Sequence, residues 1–124
     1  MNGGRALGRA LLAGMFIHGG FRAAKEPGGR VATAAKAGIP NPEMMVRLNG
    51  SMMALGGVLL ALGIKPKFAA LILMGCLIPT TYAGHQFWNQ ETKQASDQQT
   101  IQFLKNSAML GGLVLVMTED SSAT

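Results

Sequence analysis

The chain has 124 residues, enough for one domain. Only 14% of them are charged, and mean hydropathy is +0.25, whereas soluble domains carry roughly 25% charged residues. So few charges cannot cover a water-facing surface, and seventeen glycines, costly in soluble helices, suit helices packed closely in lipid. The net charge of +5 comes from eleven Lys and Arg residues that flank apolar runs and form no block interleaved with aromatics, which argues against nucleic acid as a partner and for membrane lipids with anionic headgroups.

Ala6 to Phe21 is the first apolar run, interrupted by Arg9 and His18. It has a signal peptide's basic start, but no clean small-residue cleavage pattern follows and three further apolar runs do, so a membrane helix is expected over about 6–22. Residues 22–43 form a polar segment containing Arg22, Lys25, Glu26, Arg30 and Lys36. Within it Val31 to Ala37 reads as a short amphipathic helix at the interface, stopped at Gly38 before Pro40. Asn41-Pro42-Glu43 supplies an N-cap, a proline in the first helical position and an acid at the positive end of the dipole, so a second helix is expected over about 44–64.

Gly63 to Lys67, with Pro66, turns the chain tightly into a third helix over about 68–88, bent at Pro79. The single cysteine, Cys76, lies within this apolar run and is expected to be a packing residue, because a reactive thiolate wants an electropositive, accessible setting. Asn89 to Gln99, rich in Gln, Asn, Asp and Ser, has no apolar period and reads as a solvated loop. A fourth helix is expected over about 100–117, then a flexible acidic tail over 118–124. The fold class is therefore all-α: one polytopic domain, a four-transmembrane-helix bundle with a short interfacial segment between helices 1 and 2.

Alternating spans bring the ends of helices 1 and 3 and the starts of helices 2 and 4 to one side. Gathered there are His18, Arg22, Arg47, Asn49, Thr81, His85, Trp88, Lys105 and Asn106. At 100° per residue Ile78, Thr81, His85 and Trp88 would share one face of helix 3. One reading is snorkelling cations and an interfacial Trp. The other is a shallow cationic pocket for an amphipathic molecule, favoured by His18 lying about a turn inside the boundary. Haem ligation by His18 and His85 needs a facing geometry that spacing does not supply, so no haem is expected. No metal site and no catalytic residue is assigned, because no carboxylate lies inside a span to act as a second-shell partner or proton relay.

The pairs Gly4/Gly8, Ala10/Gly14, Gly50/Ala54 and Gly57/Ala61 have small-xxx-small spacing and read as packing surfaces. The positive charges divide four (Arg5, Arg9, Lys65, Lys67) against seven on the polar side, three of which sit at helix boundaries, so orientation is left open.

Phe16-Ile17-His18-Gly19-Gly20 with Pro27, Ala37-Gly38-Ile39-Pro40, Gly56-Gly57 with Leu60 and Gly63, Pro66, the Pro79 to Trp88 stretch, and Phe103 to Asn106 together resemble the DoxX family, in particular its actinobacterial branch. The resemblance covers nearly the whole chain; His-x-Phe-Trp followed by Phe-Leu-Lys-Asn is its most specific part. It implies a multi-pass protein of the bacterial plasma membrane associated with redox complexes, since members are named as subunits of a terminal quinol oxidase and of a thiosulfate:quinone oxidoreductase. The sequence departs from the commoner pattern at Met53, where many relatives carry a glutamate. Absence of that acid argues against activity of the chain alone. The expectation is a small accessory subunit of a quinone-linked assembly, with a protein partner or a second copy beside it and a quinone as the only cofactor in view. The alternative is a lipid- or solute-handling membrane protein or transporter accessory.

Overall fold

The computed structural model describes residues 3–119. The described chain is helical: α1 (Gly3–Lys25), α2 (Gly29–Lys36), α3 (Pro42–Leu62), α4 (Pro66–Gly84), a 3-10 turn (Phe87–Asn89) and α5 (Lys93–Met117). Three stretches are long and apolar enough to cross a membrane: Pro42–Leu62, Pro66–Asn89 and Lys93–Met117. In their most apolar windows only 17–28% of residues are buried inside the protein, so most of that apolar surface faces outward. Leu11 and Leu115 are 70% and 72% exposed. Lipid, not water, is the solvent for such an exterior. The fourth long helix, α1, has the length, but Arg5, Arg9, His18 and Arg22 along it lower its hydropathy.

The helix ends follow local chemistry. α2 and α3 each close on a glycine in the left-handed region, Gly38 at φ +83 and Gly63 at φ +72. In both, the two following amides bond back: Gly38 N–H to Ala35 and Ile39 N–H to Ala34, Gly63 N–H to Leu60 and Ile64 N–H to Leu59. This is the Schellman closure. Asn41 precedes α3 as expected, but its side chain makes no cap bond because its backbone is left-handed at φ 48. A capping side chain reaches the first free amides only from extended backbone. Lys65 adopts the same conformation before Pro66, outside the right-handed helical region that a following proline disfavours.

Two sequence expectations need correcting. The solvated loop is short: α5 begins at Lys93, seven residues before position 100. Thr92 caps it by accepting from Ala95 N–H at 3.1 Å, and Lys93 pairs with Asp97 one turn on at 3.0 Å. A helix that is polar all round has no period to betray it and is held by such local contacts. The third helix is also shorter than 68–88: it ends at Gly84, and Trp88 sits on the separate 3-10 turn. The last helical bond is His85 N–H to Thr81 O at 3.0 Å. Beyond it the chain turns so that Phe87 and Trp88 stack edge-on against Phe103 of α5. Ser96 fixes the turn by donating its hydroxyl to Phe87 O at 2.8 Å.

The core draws side chains from each long helix, the largest fully buried ones being Phe16, Leu60, Leu73 and Leu113. α1 lies closest to α3, backbone on backbone: a Cβ on Gly20 would come within 2.6 Å of Gly50 O and Ala54 N. α1 and α5 meet mainly at one end, where Leu12 packs beside Gly112 and Glu119 pairs with Arg5 at 3.4 Å and Arg9 at 3.7 Å. Of the tail expected to be flexible, Glu119 is thus tied down, with its side chain only 13% exposed, while residues 120–124 lie outside the described residues. Arg9 is 4% exposed, so its charge depends on buried partners. Glu119→Gln should therefore cost roughly 1–3 kcal/mol of stability, seen as a lower unfolding temperature in detergent. An unchanged transition would mean the clasp contributes nothing.

Candidate functional site

Towards the other end α1 and α5 wall a cavity of about 550 Å³ that also touches α2, α3 and α4, within the range of pockets that hold small organic molecules. Its inner part is apolar, with Phe16, Met53, Leu77 and Met109 among the lining. Its polar lining comes from every helix: His18 from α1, Arg30 and Thr33 from α2, Asn49 from α3, Thr80 from α4, and Lys105 and Asn106 from α5, with His85 just after α4.

Each polar group is placed by a short chain of bonds. Thr80 donates its hydroxyl to Cys76 O at 2.8 Å, one turn back on its own helix, and accepts from Asn49 Nδ2 at 2.9 Å, which ties α3 to α4. Thr81 repeats the device: its hydroxyl donates to Leu77 O at 2.8 Å and accepts from the buried Asn106 at 3.0 Å, tying α5 to α4. Threonine suits a helix in lipid because it satisfies itself on the preceding turn and still offers an acceptor. His85 lies 2.8 Å from Gln99 Oε1 through Nδ1. A carbonyl oxygen can only accept, so Nδ1 carries the hydrogen, the tautomer in which Nε2 is the acceptor.

Of the nine residues proposed from sequence, His18, Asn49, His85, Lys105 and Asn106 line the cavity, and Arg22, Arg47, Thr81 and Trp88 do not. Thr81 stands behind Asn106. Arg47 is turned across to α1, donating to Ala24 O at 2.8 Å while pairing with Glu43 at 3.5 Å, and Arg22 is exposed. Trp88 belongs to an aromatic group with Tyr82, Phe87 and Phe103, a fit for the headgroup level of a membrane. The sequence reading missed Arg30, Thr33 and Thr80. Arg30, Thr33 and Ala34 share one face of α2, and Gly28 and Gly38, both at positive φ, bracket that helix where it folds over the bundle end. The signal was present as two glycine turns around eight helical residues.

A model of the DoxX family matches residues 4–86, two thirds of the chain. The chain belongs to the DoxX family. Family membership together with three apolar helices makes it a membrane protein. The match ends at Gln86, so the DoxX part of the molecule contains α1 to α4 and His85, while α5 with Gln99, Lys105 and Asn106 follows it. No curated protein and no solved structure gives a significant match.

Proposed function

We propose that this DoxX-family chain is a four-span protein of the bacterial plasma membrane, α1 being the fourth span, and that it serves as a non-catalytic subunit of a quinone-linked redox assembly by holding an amphipathic small molecule. One observation carries this reading: a cavity of about 550 Å³ with an apolar interior and a polar mouth to which all four long helices contribute. Arg9 supports α1 as a span, because its charge is buried against Glu119 and is not presented to lipid. None of the described residues that line the cavity supplies a carboxylate for proton transfer, which fits a binding role better than a catalytic one. His85, held through Nδ1 with Nε2 as acceptor, is suited to a hydroxyl of a bound head. A second reading, handling of lipid or another solute, draws on the cationic character of the same mouth.

Purification of the full chain in gentle detergent, followed by mass spectrometry of proteins and small molecules together, tests both. Oxidoreductase subunits with a bound quinone support the first. A lone oligomer with neither would sink it. His85→Ala should lower the amount of co-purifying small molecule severalfold with little change in unfolding temperature. Trp88→Ala should lower stability by about 1 kcal/mol through lost ring contacts and leave the bound molecule in place.

A further inference from the structure

The cavity's charge is one-sided. Two cationic side chains from different helices, Arg30 of α2 and Lys105 of α5, line it, and no described Asp or Glu does. The acids nearest in sequence, Glu26 and Glu91, are exposed and do not line it, and Glu43 and Asp97 pair with Arg47 at 3.5 Å and with Lys93 at 3.0 Å. Among the described residues neither Arg30 nor Lys105 has a carboxylate within ion-pair distance. Snorkelling to water explains a single cation at a membrane boundary. It does not explain why an arginine on α2 and a lysine on α5 are set around one mouth with no acid among the residues that line it.

The neutral polar groups do not compete for a ligand's charge. The amides of Asn49 and Asn106 are engaged with Thr80 and Thr81, and both hydroxyls donate to their own helix. Strong donors for an anion therefore reduce to the guanidinium of Arg30 and the ammonium of Lys105, above an interior of methionine, leucine and phenylalanine.

On the reading that the cavity holds an amphiphile, we infer that this amphiphile is anionic: an alkyl or isoprenyl chain ending in a carboxylate or phosphate. The chain lies among Phe16, Met53 and Met109 and the head lies between Arg30 and Lys105. The shared chemistry is an acidic head on an apolar tail, whether it arrives as a membrane lipid or as a free acid.

The test is equilibrium binding of radiolabelled hexadecanoate, hexadecyl phosphate and hexadecanol to the full chain in a non-ionic detergent. Both anions should bind at least about tenfold more tightly than the alcohol of equal chain length. Arg30→Gln with Lys105→Gln should shrink that preference to within about twofold, while Lys65→Gln with Lys67→Gln, at the opposite end of the bundle, should preserve it. If the double variant does not fold, Lys105→Gln alone, at an exposed position, should at least halve the preference. Equal binding of acid and alcohol, or an unchanged preference in the charge variants, overturns the inference and leaves the amphiphile reading standing. Binding of none of the three overturns both. Displacement of the anions by millimolar inorganic phosphate would make the head alone the ligand and overturn the amphiphile. No displacement supports a lipid source.

Discussion

Gly50→Ala should lower stability by about 3 kcal/mol or more, whereas Gly14→Ala should leave it within about 0.5 kcal/mol. The added methyl at position 50 would sit 2.7 Å from Gly20 O, 2.8 Å from the Ala23 Cβ and 2.8 Å from Ala24 N. Two of these are backbone atoms of α1, so no rotamer change relieves the clash and the two helices must separate. Separation also loosens Arg47, whose guanidinium crosses to Ala24 O. A Cβ at Gly14 meets nothing within 4 Å. In water alanine would regain about 1 kcal/mol of helix propensity. In lipid a helix parted from its neighbours stays helical, so this gain is small and nothing offsets the clash. Gly57→Ala should fall between the two, because its closest contact, at 2.7 Å, is the movable Ile17 side chain. Unfolding temperatures of the three variants in one detergent give the comparison, and a Gly50→Ala protein as stable as Gly14→Ala would refute backbone contact between α1 and α3.

The same glycines show what the sequence could disclose. Small-xxx-small spacing correctly marked Gly50 and Gly57, which face α1, but it also marked Gly8 and Gly14, which face open space. Spacing places residues on one face of a helix without saying what lies opposite. Gly20 is the partner of Gly50, and it stood out only as half of Gly19-Gly20. The approximate positions of the apolar helices were legible because lipid-facing length and composition are strong local signals. The polar first turns of α5 were not legible, since their stability comes from the Thr92 cap and the Lys93–Asp97 pair rather than from a pattern.

At the site, the convergence of His18, Asn49, His85, Lys105 and Asn106 follows from alternation of spans alone. The exclusion of Trp88 and Arg47 depends on where α4 stops and on which way one guanidinium turns, and both are tertiary events. Arg30 was hidden for a related reason: a short amphipathic helix reads as resting on lipid, and only the two positive-φ glycines fold it over the bundle.

Met53→Glu should abolish binding of an anionic amphiphile, reducing affinity roughly a hundredfold, while Met53→Gln should change it no more than about threefold. Met53 is 8% exposed and lies on the cavity wall, one turn from Asn49. A carboxylate there would stand where the apolar chain lies, beneath the bound head. Two like charges about 6 Å apart at an effective dielectric near 20 repel by about 3 kcal/mol, which is about a hundredfold in affinity. Placing an acid on a buried helix face also has a cost of its own, about 2.5–3.5 kcal/mol at the centre of a span. Arg30 and Lys105, which line the same cavity, offset part of it by serving as counter-ions, so the variant should still fold. Glutamine has the same shape without the charge and separates repulsion from crowding. The comparison bears on the expected family pattern as well, since the resemblance implies a glutamate at the position of Met53. With the acid present, the cations of the cavity are neutralised from within and a neutral or cationic guest is favoured. With methionine the positive charge is left for the guest to balance. Binding of hexadecanoate by Met53→Glu at wild-type strength would show that the bound anion does not enter the cavity past position 53.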